Sequence, residues 1–323
     1  MNGKLNHVDF KPFIHGNYDF TDRDGFVGFC KFSKEQTEYL RFNDFFRRRA
    51  FFSSSVTLEF YAPRCKFSFD YKIVDVSSKD TLDVFVNGKA EYSLKIADMP
   101  DCGSLEFSVG EGLICETVNE IVVYFPVDAD FAIKNFAVSS PITPIERSPE
   151  VLWLGDSISQ GYGTFFSGGS LVNLVRRKTG FEVLNQGIGG YYYDSKCLMP
   201  LEKFVPKRII VAMGTNLHDW RDKDKYVSEF YEKLHEIYGN VKTLSISPIN
   251  RFDSALDERG MQKTRKLIEY NCKKYGGEFL SGEDFILPEE KYFIDGLHPN
   301  AVGAEIYADK VAEYLTKTNF LLP

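Results

Sequence analysis

Between about residues 17 and 138, polar and apolar side chains alternate in short runs. Positions 56–60, 66–73 and 105–109 each place every second residue on one face. A period of two predicts strands with one buried side. Positions 82–86 continue the pattern and run into Asn87-Gly88, a dipeptide suited to a two-residue hairpin turn because both positions tolerate positive φ. No helical period interrupts the stretch, so it predicts an all-β antiparallel sandwich, jelly-roll-like.

From about residue 150 the period changes. Strand-like runs at 151–154, 181–184, 208–212 and 242–247 read as buried strands, and a helical period appears at 223–238, where Tyr226, Val227, Phe230, Leu234 and Ile237 share a face and Gly239 supplies a stop. Further helices are expected over about 256–275, ending at Gly276-Gly277, and from just after Pro299 to about 316. Strand and helix in alternation predict a three-layer α/β domain with a parallel sheet. Between the two patterns lies 139–149, rich in proline and serine and unable to hold a ladder. The chain therefore divides into a sandwich over 1–145 and an α/β domain over 146–323.

Several runs end in clusters that carry chemistry. The first is followed by Gly155-Asp156-Ser157, which sets Ser157 at a strand-to-helix turn with its hydroxyl above the sheet. A serine needs a base to take its proton, and neutral imidazole is the usual one. Of the five histidines, at 7, 15, 218, 235 and 298, only His298 follows a carboxylate by three residues in a Gly- and Pro-marked loop, Asp295-Gly296-Leu297-His298-Pro299. Asp295 would orient the ring and offset its charge. The second and third runs end in Asn185-Gln186-Gly187-Ile188-Gly189-Gly190 and Met213-Gly214-Thr215-Asn216. In an open parallel sheet such clusters meet at the carboxyl edge.

The order Gly-Asp-Ser, Asn-x-x-x-x-Gly, Gly-x-Asn, Asp-x-x-His over about 150–318 resembles the SGNH hydrolases, also called the GDSL esterase/lipase superfamily. The resemblance implies a flavodoxin-like fold, Ser157 as nucleophile, His298 as base and Asp295 as orienter. It also implies an oxyanion hole from the backbone N–H of Ser157, the N–H of Gly190 and the side-chain amide of Asn216. Gly190 is the glycine five residues after Asn185. Three positions depart from the family pattern: Tyr191 and Leu217 stand where relatives often carry aspartate, and Ile158 where leucine is usual. Asp156, Tyr162, Tyr191, His218 and Trp220 are the remaining candidates for lining a substrate pocket. Position 159 is serine, so the Gly-x-Ser-x-Gly signature of α/β-hydrolases is absent.

Composition narrows the partners. The net charge of −7 argues against nucleic acid and anionic membranes. The one basic run, Arg47-Arg48-Arg49, reads as the solvated charged face of a strand or loop, with a local anion site as the alternative. No signal peptide precedes the first strand and no stretch is apolar enough to span a bilayer, so a cytoplasmic protein is expected, or a secreted one whose leader has been removed. Six scattered cysteines read as buried free thiols, with Cys102–Cys115 the one conceivable bridge. No cluster has metal-ligand spacing, and neither metal nor cofactor is expected.

The expected activity is that of a serine esterase removing short acyl groups, most plausibly acetyl, from a carbohydrate or other small-molecule or oligosaccharide ester. A β-sandwich ahead of an SGNH domain resembles carbohydrate esterase family 2. The alternatives are a lipolytic enzyme or thioesterase with an apolar channel, and an inert carbohydrate-binding protein.

Overall fold

The alternating half folds into two packed antiparallel sheets. One places Asp19–Asp22, Val27–Cys30, Ala129–Val138, Cys65–Val76 and Cys102–Val109 side by side; the other orders Thr143–Pro144, Thr57–Ala62, Asn119–Tyr124, Thr81–Val86 and Lys89–Lys95. The computed structural model describes residues 5–78, 80–110 and 117–322. Along Cys65–Val76 the residues Cys65, Phe67, Phe69 and Tyr71 point inward, as the alternation requires, into a core with Phe60, Phe107, Phe125 and Phe131. Asn87 and Gly88, at φ 50° and 77°, turn the hairpin between Thr81–Val86 and Lys89–Lys95.

The sandwich is not purely β. Two helices, α1 (Lys34–Tyr39) and α2 (Asp44–Arg49), sit between its strands. Ser33 and Gln36 form a reciprocal capping box at the start of α1, and Asn43 caps α2 through the N–H of Phe45. Six residues make fewer than two turns, so neither helix leaves a readable period. The run Arg47-Arg48-Arg49 is the last turn of α2, not a strand or loop, and its cations face the negative end of the helix.

In the second half, Glu182–Gly187, Glu150–Gly155, Arg208–Ala212, Lys242–Ile246 and Glu278–Leu280 form a parallel sheet in that spatial order, flavodoxin-like in its sequence 2-1-3-4-5. It is covered by α3 (Ser157–Gln160), α4 (Leu171–Thr179), α5 (Lys223–Tyr238), α6 (Glu258–Lys274) and α7 (Ala301–Lys317). Separate apolar cores lie on its two faces. Gly239 follows α5 at φ −55°, so its role is space rather than handedness: a methyl there would meet the carbonyl oxygen of His235 at 2.6 Å. Pro299 lies one residue outside α7, and Asn300 is the cap, accepting from the N–H groups of Val302 and Gly303. Helix α4 has no counterpart in the hydrophobic reading because it buries Arg176 and Asn173 beside its apolar residues.

Cys30, Cys65, Cys197 and Cys272 are buried free thiols, whereas Cys102 is exposed. Cys115, and with it the conceivable bridge, falls outside the described residues. Among the described residues no helix is long and apolar enough to cross a membrane, and no three His, Cys, Asp or Glu residues gather as a metal site.

The two halves meet through buried charge. Glu59, on a sandwich strand, is fully buried between Arg176 of α4 (2.7 Å) and Arg147 of the connecting segment (2.5 Å). Burial alone would raise its carboxyl, but Arg176, His15, Arg147 and the Thr57 hydroxyl bring it down to about 2. A depressed carboxylate stabilises the fold fully above its ordinary value of 4.5, and that stabilisation is lost as pH falls toward 2. Glu59→Gln takes their shared anion from the buried Arg176 and the partly buried Arg147, leaving them Glu182 (3.5 Å) and Glu120 (3.0 Å). It is expected to cost roughly 3–5 kcal/mol at neutral pH, read as a lower urea midpoint, with wild type and variant converging in acid.

Candidate active site

The first parallel strand ends at Gly155, where space is tight: a methyl on it would lie 2.1 Å from Ser159 Oγ. Trp153 Nε1 donates to that Ser159 oxygen (3.0 Å), which donates to the carbonyl of Ala212 (3.0 Å), so strand and turn are fastened together. Asp156 caps α3 by accepting from the N–H of Ile158 at 3.1 Å. It is buried, and burial pushes its carboxyl up to about 7 against the pull of N–H donors from Ile158 and Gly214. Ser157 is the first residue of α3, so its N–H is one of the helix donors without an intrahelical acceptor.

Ser157 Oγ lies 2.9 Å from His298 Nε2, and His298 Nδ1 lies 2.7 Å from Asp295 Oδ2. The other carboxylate oxygen of Asp295 accepts from the N–H groups of Leu297 (3.0 Å) and His298 (2.7 Å). Partial burial works to raise the Asp295 carboxyl, but these N–H donors and the His298 ring outweigh it and hold the group below the usual carboxylate range. The loop is braced from the side. Gly296 turns at φ 81° against the backbone of Asp253, and its carbonyl accepts from the N–H of Phe252 at 2.9 Å. Tyr162 sets its ring edge-on to His298, with centroids 4.7 Å apart.

The glycine block is sorted by its hydrogen bonds. Gly187 N–H donates to Asn185 Oδ1 (2.9 Å), and Gly189 N–H donates to Gln160 Oε1 (2.6 Å). Gly190 is exposed, turns at φ 74°, and its N–H donates to no acceptor among the described residues. Of the three glycines it alone has an uncommitted donor, and its left-handed turn suits glycine. Gln160 is itself held from the sandwich: its Nε2 donates to Asp128 Oδ1. Asn216, on a short turn after Gly214 (φ 125°), gives one amide hydrogen to the carbonyl of Tyr191 at 2.9 Å and keeps a second.

The weaker pocket candidates occupy varied positions. His218 is buried, and its Nδ1 accepts from the N–H of Asp257, the cap of α6, at 3.1 Å. Burial and Arg251 lower its pKa. Tyr191 is buried with its hydroxyl on Asp194 (3.1 Å) and its ring edge-on to Phe46 (5.0 Å). Trp220 is half-buried and packs on Tyr192 and Tyr226, at 4.9 and 5.3 Å between centroids. These three are packing residues in this conformation. Of the candidate rings, Tyr162 is the one that packs on His298 among the described residues. Leu217 is fully buried, and polar bracing of this turn comes from Arg251, which reaches the carbonyl and hydroxyl of Thr215 (both 3.2 Å) while forking onto Asp253.

Sequence reasoning missed Arg251, Gln160 and Asp128. Gln160 lies three residues after Ser157, a position facing the second strand's end. Its partner Asp128 is 32 residues away across the two halves, which no local pattern signals. Beyond the serine turn, Leu154, Tyr191, Cys197 and Met213 help line a void of only about 20 Å³.

The GDSL-like Lipase/Acylhydrolase family model matches residues 153–306. No curated protein matches the chain by sequence. Among solved structures, the salicylyl-acyltransferase SsfX3 from a tetracycline biosynthetic pathway superposes with a TM-score of 0.75 at 19% identity, over 99% of this chain and 98% of that one. A family two carbohydrate esterase from Cellvibrio japonicus gives 0.67 at 12%, over 98% and 99%. The acetyl xylan esterase Est2A from the rumen bacterium Butyrivibrio proteoclasticus gives 0.66 at 12%, over 99% and 100%. At these identities the likeness is one of fold, and it extends over both halves of the chain.

Proposed function

Because the C-terminal half of this chain belongs to the GDSL-like lipase/acylhydrolase family and is a carboxylic ester hydrolase, we propose that it removes short acyl groups, acetyl foremost, from a carbohydrate by a Ser157–His298–Asp295 mechanism. The observation that carries this reading is the continuous relay from Ser157 Oγ to His298 Nε2 (2.9 Å) and from His298 Nδ1 to Asp295 (2.7 Å).

Ser157 Oγ attacks the ester carbonyl carbon as its proton passes to His298 Nε2. The carbonyl oxygen takes up negative charge and is met by the N–H groups of Ser157 and Gly190 and the free amide hydrogen of Asn216. The C–O bond to the alcohol then breaks, His298 returns the proton to the departing alkoxide, and an acyl-serine remains. Water, deprotonated by His298, repeats the attack; the acid leaves and Ser157 regains its proton. Asp295, held ionised by its N–H donors, keeps Nδ1 protonated and offsets the imidazolium in both halves of the cycle.

A small acyl group is supported, at the level of fold, by the likeness to the acetyl xylan esterase named above. A carbohydrate alcohol is supported by fold likeness to the esterases named above. Rates on p-nitrophenyl acetate, butyrate and octanoate, beside acetylated xylo-oligosaccharides, test this. A steep fall from acetate to octanoate, with release of acetate from the oligosaccharides, is expected. Equal rates on octanoate would replace the reading by a long-chain acyl hydrolase, and inactivity on every ester by an inert binding protein.

A further inference from the structure

Arg49, the last residue of α2, is left out of the mechanism yet stands at its edge. A methyl placed on Gly189 would lie 3.1 Å from Arg49 Nε, and one placed on Gly190 would lie 3.6 Å from the ring of Phe45. The sandwich thus brings a cation and an aromatic ring against the oxyanion loop. The guanidinium carbon lies over Phe45, 3.5 Å from the ring centroid, and the group donates to Ser77 Oγ (2.7 Å) and to the carbonyl of Phe45 (3.3 Å). Neither partner is charged. Two carboxylates act on it without touching it: Asp75 takes the fork of Arg48, and Asp128, which accepts from Gln160 through Oδ1 and keeps Oδ2 without a hydrogen bond among the described residues, supplies part of its counter-charge. Phe45 remains 46% exposed and Phe42, one turn before Phe46 on the same surface, 55% exposed. Across Tyr162, Phe165 is held at φ 50° with its ring 41% exposed. A bulky residue in that backbone region needs a reason, and such outliers gather at ligand sites.

Resting on the esterase reading above, we propose that Arg49 and Phe45 form an alcohol-side subsite selecting a sugar that carries a carboxylate, an acetylated uronic acid or an oligosaccharide containing one. The guanidinium, preorganised over the Phe45 ring, takes the carboxylate, and the exposed edge of that ring packs against the pyranose. In a chain with a net charge of −7, a cation beside the site favours an anionic substrate locally.

The test compares an O-acetylated methyl glucuronoside with its uronamide, acetylated at the same hydroxyl, on the full-length wild-type protein. The acid is expected to have a kcat/KM about tenfold or more above the amide, shrinking as salt is raised. Arg49→Gln should bring the ratio to about one, and Arg49→Lys should restore only part of it. Equal rates on acid and amide in the wild type, or a preference that survives Arg49→Gln, would overturn the subsite. So would inactivity on both sugars with p-nitrophenyl acetate still cleaved, an outcome that leaves the esterase reading intact. Inactivity on all three would remove the esterase reading, and the subsite with it.

Discussion

Ser157→Ala is expected to lower kcat on p-nitrophenyl acetate by roughly 10⁴- to 10⁶-fold, the range over which triad serines act. Among the described residues the hydroxyl's one hydrogen-bond partner is His298, while the turn that holds it is built by Asp156, Trp153 and Ser159. Stability should therefore stay within about 0.5 kcal/mol of wild type, as measured by urea unfolding. Turnover retained at a tenth of wild type in a folded variant would remove Ser157 from the role of nucleophile. An active-site titration with a phosphonate ester adds a second readout, since the wild type should incorporate one phosphonyl group at residue 157 and the variant none.

Asn216→Ala is the second large effect. Its free amide hydrogen is assigned to charge that exists only after attack, so its loss should fall on kcat by about 10²–10³ and leave KM within a factor of a few. The side chain also donates to the carbonyl of Tyr191, which joins the asparagine turn to the glycine loop. The variant therefore loosens two of the three proposed donors at once. A rise in KM with kcat unchanged would mean that Asn216 binds the substrate in its ground state instead.

The elements that sequence made legible are those with a local cause. The strand runs that lead into Ser157, Gly190 and Asn216 could be read because buried parallel strands are rich in apolar residues and the sheet's edge follows from topology. The Asn87-Gly88 hairpin could be read because two positive φ angles demand those residues. What escaped depends on partners distant in the chain. Glu59, Lys31 and Asp80 look like surface charges in sequence, yet all three are buried, Lys31 with its amine on Ser54 and Asp80 accepting from Ser167 at 2.8 Å. Alternation marks Glu59 as outward-facing, which it is, but outward there means toward the second half of the molecule. Helix α2 was hidden for a related reason: Phe45, Phe46 and Arg49 act through what lies across from them, and their spacing alone says little.

Glu59 locked between Arg147 and Arg176 makes the cleaving half a poor candidate for reuse as a free-standing cassette. Severed near residue 145, it would carry an arginine without its Glu59 partner into water on one side and a Gln160 deprived of its Asp128 anchor on the other. Shuffling this catalyst onto new partners in evolution would require the sandwich to travel with it, as a single inherited block.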